Sequence, residues 1–220
     1  MKTKLIALLL LAFIGKTSYA QTLSGRTLDY QLGEKAEKEK PQGSQYLNDA
    51  FLPGNYSDGA LILYRYNAYA DEIEFKNSEG ITQYVVRKKG ATITSQDKET
   101  VYEFNDYANE KNEQKSGYLN RIAVAGNIKI YQLNRIYLQA EAPASSGYSS
   151  AKPAMFKKAS AEYYIKVKDN PIVFMPAKKK DFFKLFPSRE KEVADFIKAN
   201  KTDLQDKQDL KALAAFLDTL

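Results

Sequence analysis

Apolar residues recur with the period of a β-strand along most of segment 60–176, and this alternation limits the fold more than any other feature of the chain. β-Branched and aromatic residues are frequent in the same segment. The pattern predicts strands at 60–66, 70–76, 82–87, 91–94, 100–104, 118–124, 128–140, 161–168 and 172–175. Short turns rich in Gly, Asn or Asp separate most of them, which favours antiparallel pairing of consecutive strands.

The spacing of apolar residues becomes helical after Pro176, where Ser188 and Asp206 are predicted N-caps of two helices. The two helices carry apolar stripes, formed by Val193, Phe196 and Ile197, and by Leu210, Leu213 and Leu217. Such stripes have to be buried on the sheet or on a partner. We therefore predict an α+β fold, in which a mostly antiparallel curved sheet forms a partial barrel or sandwich with the C-terminal helices packed on it.

The chain is predicted to divide into a signal peptide (1–20), a polar N-terminal arm (21–55), a β-rich domain (56–176) and a helical segment of the same domain (177–220). The arm contains a run of charged residues and few apolar ones, so we expect it to be loosely held. One longer connection, 141–152, is rich in Ala, Ser, Gly and Pro and is expected to be a mobile surface loop.

The N-terminus has the three parts of a secretory leader. Two lysines precede an apolar run at 5–14, and the small residues Ser18 and Ala20 occupy the positions that a signal peptidase recognises. We predict cleavage between Ala20 and Gln21, and export to the periplasm or the extracellular space. The apolar run is shorter than the roughly 20 residues that a membrane-spanning helix needs, so no transmembrane segment is expected.

Charge and composition exclude several classes of function. The leader contains three lysines and no acid, so its removal lowers the net charge from +6 to +3. Because nucleic-acid binders concentrate basic charge, a nucleic-acid partner is not expected. The chain has no His and no Cys, which removes the Ser-His-Asp and Cys-His nucleophile arrangements and the usual ligands of zinc and haem. We predict neither a metal site nor a cofactor.

Three neighbouring carboxylates, Asp71, Glu72 and Glu74, are the candidate site for hydrolysis, because glycoside hydrolysis requires only two carboxyl groups at a suitable separation. Strand parity places Glu72 and Glu74 on one face. The alternative interpretation is a solvated strand face, with Ile73 and Phe75 turned to the core. The alternation itself favours this alternative.

Four tyrosines are candidate binding residues. Tyr64 and Tyr66 share one face of a predicted strand, and Tyr131 and Tyr137 share a face of another. Rows of this kind can form stacking platforms for sugars or peptides, although they are more often cross-strand packing residues. A third pattern, three lysines at 178–180 followed by Phe182, Phe183, Leu185 and Phe186, is typical either of a membrane-surface segment or of a short amphipathic helix with buried Phe side chains.

Two stretches carry a resemblance to known proteins: 55–76, in particular RYNAYADEIEF at 65–75, and 178–186, with the sequence KKKDFFKLF, together with the two helices after it. In these the chain resembles a loose family of uncharacterised exported β-rich proteins of Gram-negative bacteria. The resemblance implies a β-rich body, a helical C-terminal end and an envelope or secreted location. The leading hypothesis is a non-enzymatic binding or structural module whose partner is an envelope protein or glycan. The alternative is a glycosidase-like hydrolase that uses the carboxylates.

Overall fold

The computed structural model describes residues 40–143 and 152–220. The predicted signal peptide with its cleavage site, most of the predicted arm (21–39) and part of the predicted loop (144–151) lie outside the described residues. From Pro41 onward the described residues form one compact unit. Residues 41–55, which the sequence analysis assigned to the arm, therefore belong to the same unit as the sheet.

Within the described residues the chain forms twelve strands and three helices. The strands are β1 (Leu52–Tyr56), β2 (Leu61–Asn67), β3 (Glu72–Lys76), β4 (Thr82–Tyr84), β5 (Thr92–Ser95), β6 (Val101–Ala108), β7 (Gln114–Ala125), β8 (Ile128–Leu133), β9 (Ile136–Gln139), β10 (Met155–Lys158), β11 (Glu162–Val167) and β12 (Ile172–Met175). The helices are α1 (Lys179–Phe183), α2 (Glu190–Ala199) and α3 (Lys207–Asp218).

Ten of the strands form one sheet, in the order β12-β11-β8-β7-β6-β5-β1-β2-β3-β4. Strand β12 also pairs in parallel with β6, where Ile172 lies opposite Tyr107. This pairing closes β6, β7, β8, β11 and β12 into a ring, which we call the barrel. Strands β5 and β1 to β4 continue the sheet beyond β6, and β9 and β10 form a separate pair. The structure confirms the predicted α+β fold with a curved, mostly antiparallel sheet.

The interior of the barrel is filled by side chains from all five of its strands, namely Tyr107, Leu119, Tyr131, Leu133, Tyr164, Ile172 and Phe174. An ion pair lies near one end of this interior, where Arg121 Nη1 is 3.2 Å from Glu103 Oε2. Large side chains fill small barrels in this way, and the barrel is therefore a packed core and not a channel.

The three helices cover the outer face of the barrel. Val193 and Ile197 of α2 and Leu210 and Leu213 of α3 are buried in one cluster with side chains of β7, β8, β11 and β12. The predicted stripes are thus packed on the sheet of their own chain. Phe182 of α1 is fully buried in the same cluster, so the lysine-rich segment forms a short amphipathic helix, Lys179–Phe183, with a buried Phe.

One of the two predicted N-caps is present. The Asp206 side chain accepts hydrogen bonds from the backbone N–H groups of Gln208 and Asp209 at the start of α3. The prediction for Ser188 is wrong, because α2 begins at Glu190 and its N-cap, Arg189, makes no side-chain capping hydrogen bond.

We call strands β1 to β5, together with the separate pair β9 and β10, the lobe. A second hydrophobic core lies within the lobe, beneath the extended part of the sheet. It contains Tyr64, Tyr66, Ile73, Tyr102, Tyr118 and Ile136.

The structure corrects two of the strand predictions. The predicted strand 128–140 is two strands, since β8 ends at Leu133 and β9 pairs with β10 in the separate sheet. Strand β1, which the sequence analysis placed in the arm, pairs with both β2 and β5.

Candidate functional site

Asp71, the first of the candidate carboxylates, lies in the turn between β2 and β3 with a positive φ of 56°. Three donors converge on its Oδ1 atom: the Tyr66 hydroxyl at 2.7 Å, Arg135 Nη1 at 3.0 Å and the Tyr118 backbone N–H at 3.3 Å. Charged hydrogen bonds of this kind are stronger than neutral ones. The Asp71 carboxylate is thus committed to partners within the protein.

These contacts connect the lobe to the barrel. Arg135, which follows β8, bonds Asp71 with one nitrogen and donates to the Tyr107 hydroxyl with the other, at 3.1 Å. Gly117 of β7 leaves room for the carboxylate, because a Cβ atom there would lie 2.4 Å from Asp71 Oδ2. Burial, together with the neighbouring Asp71 carboxylate, raises the pKa of Tyr66 well above its ordinary value of 10. Tyr66 therefore stays protonated and donates its hydrogen bond to Asp71.

Glu74 is also engaged inside the structure. Its Oε2 atom is 2.7 Å from Arg65 Nη2, and its Oε1 atom accepts a hydrogen bond from the Tyr46 hydroxyl at 2.9 Å. The Arg65 guanidinium lies 3.8 Å from the ring centre of Tyr46 and 4.5 Å from that of Phe51. The two aromatic rings packed on the guanidinium shield the ion pair from water and strengthen it. The expectation of a solvated carboxylate is therefore wrong for Glu74, which is buried.

Glu72 is half-buried and its nearest cation is Arg87, at 3.6 Å. Each of the three carboxylates thus has its own arginine, and the three arginines come from different elements. Glu72 and Glu74 share a face of β3, whereas Asp71 points towards Tyr118. Within the described residues, no group of three or more acidic side chains is arranged to hold a metal ion.

The four candidate tyrosines do not form one platform. Tyr64 and Tyr66 are only 3% exposed and belong to the core of the lobe, while Tyr131 is buried inside the barrel. Tyr137 is 48% exposed on β9, in a different sheet from Tyr131. The expected shared face of Tyr131 and Tyr137 does not exist, because the chain leaves β8 before it reaches Tyr137.

Strand β2 turns its leucines outward and its tyrosines inward. Leu61 is 70% exposed and Leu63 is 46% exposed, on the face opposite to Tyr64. The register places Leu63 beside Lys76 of β3, and Lys76 beside Thr82 of β4. We call this side of β1 to β4 the outer face. Exposed apolar side chains mark an interaction surface only where they form a large contiguous patch.

The sheet ends at β4, and no strand of the described residues pairs with the far edge of β4. Asn77 N–H bonds the Ile81 carbonyl at 3.0 Å, and Val85 N–H bonds the Ile73 carbonyl at 2.8 Å. Because backbone bonding alternates along an antiparallel pair, the backbone groups of Thr82 and Tyr84 point away from β3. Their N–H and C=O groups form the open edge of the sheet.

The side chains around this edge are exposed and apolar. Ile81, Tyr84 and Val86 are 54%, 60% and 79% exposed, respectively. Segment 81–86 contains no charged residue, proline or glycine. Natural proteins often protect a sheet edge with charged residues or proline. The sequence analysis predicted a strand here but missed the open edge, for which the uncharged run between Gly80 and Arg87 was the available signal.

No protein-family model, curated protein or solved structure matches this chain significantly. None of the helices in the described part of the chain has the length and apolar composition needed to cross a bilayer.

Proposed function

We propose that this protein is an exported, non-enzymatic binding module that takes up an extended segment of a partner protein as an additional strand along β4. The observation that carries the proposal is the open edge at Thr82 and Tyr84, within an uncharged segment whose apolar side chains are exposed. Strand addition obtains its affinity from backbone hydrogen bonds and its specificity from alternate side chains.

The side chains next to the edge suit a partner of moderate polarity. Tyr84 lies on the outer face beside Glu74, whose charge is already neutralised by Arg65. At Tyr84 a partner strand would therefore meet the ring and not a free charge, whereas at Thr82 it would lie near the exposed Lys76. Ile81 and Val86, at the two ends of the segment, supply additional apolar area, and burial of such area is worth about 25 cal/mol per Å². These features favour a protein partner over a glycan.

Export is part of the proposal and is supported by the leader sequence and by the resemblance to exported proteins. Mass spectrometry of the protein from the envelope or culture fluid tests this part. We expect a mature N-terminus at Gln21, and exported protein that retains Met1 would contradict the proposal.

The edge itself is tested with proline. Because the Tyr84 N–H points away from β3, Tyr84→Pro removes an outward donor without removing a bond to β3. The Tyr84→Ala variant is the matched control, since it removes the ring and retains the N–H. We expect the partner captured from envelope extract by the wild-type protein to be lost with Tyr84→Pro, and to be retained in part with Tyr84→Ala.

Hydrogen exchange supplies a readout that identifies the mode of binding. In the free protein the outward amides of Thr82 and Tyr84 should exchange rapidly, because they have no partner in the described part of the chain. In the complex we expect both amides to become protected, whereas Gln83, which faces β3, should change little. Binding without protection of Thr82 and Tyr84 would refute strand addition and would favour a glycan or another surface.

A further inference from the structure

The open edge of β4 presents a pattern that a second copy of the same edge can pair with. The backbone groups of Thr82 and Tyr84 point outward, and those of Gln83, between them, point towards β3. The outward groups therefore lie symmetrically about Gln83. Because antiparallel strands exchange backbone hydrogen bonds at every second residue, a second copy turned by half a rotation presents matching donors and acceptors.

One register of this pairing keeps the contact within the uncharged segment. With a two-fold axis at Gln83, Thr82 of each copy lies opposite Tyr84 of the other, and both of these pairs exchange backbone hydrogen bonds. An axis at Tyr84 would instead bring Arg87 of each copy opposite Ile81 of the other. An axis at Thr82 would bring in the turn that precedes β4. The register centred on Gln83 is therefore the one that we expect.

The side chains that meet in this register are uncharged. Ile81 lies opposite Val85 of the second copy, and Thr82 lies opposite Tyr84 of the second copy. Cross-strand pairs of β-branched and aromatic side chains are favourable. Ile81 and Tyr84 are each more than half exposed in the single chain, so the pairing covers apolar surface. The charged residues beside Thr82 and Tyr84 belong to β3, one strand away from the interface.

We infer that two copies of this protein pair along β4, antiparallel about a two-fold axis at Gln83, and that this pairing covers the edge until a partner segment takes its place. The inference rests on the proposed function, because both use the same edge, and it adds a regulation of that edge. The contact consists of segment 81–85 of each copy, which is smaller than a stable interface of about 1,600 Å² requires. We therefore expect a reversible dimer with a dissociation constant of roughly micromolar or weaker.

Sedimentation equilibrium of the mature chain over a range of concentrations measures this dimer. The Gln83→Lys variant places two like charges side by side at the axis and leaves the outward backbone groups in place, so we expect the dissociation constant to rise about fivefold or more. Ser78→Lys is the matched control, because it adds the same charge at an exposed position in the turn, away from the axis. Capture of the partner should survive in both variants.

A single cysteine reports the register. Opposed residues of a non-hydrogen-bonded antiparallel pair have Cα atoms about 4.5 Å apart, which lies within the range that a disulfide spans. The chain contains no Cys, so Gln83→Cys should give a disulfide-linked dimer in a glutathione redox buffer, whereas Ser78→Cys should not. The linked dimer should fail to capture the partner, and reduction should restore capture.

Hydrogen exchange adds a third readout. Protection of the Thr82 and Tyr84 amides should increase with protein concentration, and the rapid exchange expected of the free protein applies to the dilute monomer.

Two results would overturn the inference: a wild-type protein that stays monomeric up to about 1 mM, or a dimer that Gln83→Lys does not weaken and Gln83→Cys does not link. A monomeric wild type that still captures its partner through β4 would leave the proposed function intact. A dimer linked through Gln83→Cys whose wild type captures no partner would support this inference and contradict the proposed function, so the two failures are distinguishable.

Discussion

Replacement of Asp71 by asparagine removes a negative charge from the point where three donors meet. The substitution keeps the size of the side chain and an oxygen for the Tyr66 hydroxyl, but it leaves the Arg135 guanidinium without its anion. Among the described residues, Arg135 then retains the Tyr107 hydroxyl as a side-chain partner. If Asp71 connects the lobe to the barrel as the structure indicates, this change should lower the free energy of unfolding.

The magnitude follows from the burial of the pair. The side chain of Asp71 is 15% exposed and that of Arg135 is 30% exposed. Removal of one partner from a buried pair costs about 3 to 5 kcal/mol, and partial exposure of the arginine places Asp71→Asn at the lower end, about 3 kcal/mol. For a domain of this size, such a loss lowers the melting temperature by roughly 6 to 12 °C.

Urea denaturation followed by circular dichroism measures this loss. Glu72→Gln is the matched control, because the exposed pair of Glu72 with Arg87 should contribute no more than about 1 kcal/mol. A double-mutant cycle of Asp71→Asn with Arg135→Met should show coupling of about 1 to 3 kcal/mol. An Asp71→Asn protein as stable as wild type would refute the argument that Asp71 joins the lobe to the barrel. The hypothesis that Asp71 is catalytic would then need its own test.

Three further predictions concern stability. Leu213→Ala should lower the free energy of unfolding by about 2 to 5 kcal/mol, whereas Lys198→Ala at an exposed position should change it by less than about 0.5 kcal/mol. If the two variants melt at the same temperature, α3 packs on a partner and not in the core. Gly54→Ala should cost about 1 to 3 kcal/mol, because its Cβ would lie 2.6 Å from the Tyr64 ring, and unchanged urea midpoints would contradict this packing. Burial raises the pKa of Tyr64 and of Tyr118 to about 12, above the ordinary value of 10 that applies to the unfolded chain. The stability that these two tyrosines contribute is therefore complete below pH 10 and is lost as the pH rises towards 12. Urea midpoints that stay constant over this range would show that the two hydroxyls are not buried.

The elements with local signals could be predicted from the sequence. Alternation located β2, β3 and β12, and the helical spacing of Leu210 and Leu213 located α3 together with its cap at Asp206. These features depend on residues a few positions apart, which is the range over which strand parity and helix capping act. The fold class followed from them, because the stripes and the sheet each need an apolar partner.

The parts that depend on distant contacts could not be predicted. Strand β1 contains Pro53 and Gly54, which in a sequence indicate a turn. In the structure Gly54 is required because the Tyr64 ring and the Thr94 carbonyl occupy the place of a side chain. Strand β10 likewise ends in two lysines, and it is a strand because of its pairing with β9.

The exposure of Leu61 and Leu63 on the outer face was missed for a related reason. Period-two alternation correctly separates Leu61 and Leu63 from Tyr64 and Tyr66, but alternation alone does not say which set faces the core. Here the tyrosines fill the space between the lobe and β6, where Tyr102 packs on both of them. The leucines are left on the outer face. A choice of this kind depends on the shape of the neighbouring elements and not on the strand itself.

The buried acids of this protein are used to join strands, and this limits what its surface can do. Glu74 pairs with Arg65 between β2 and β3, Glu103 pairs with Arg121 between β6 and β7, and Asp71 joins the lobe to Arg135. Because each of these three carboxylates bonds an arginine inside the structure, none of them is free to contact a substrate. The recognition that we propose therefore depends on the open backbone of β4 and on the apolar side chains beside it, which suit a polypeptide partner better than a polar substrate.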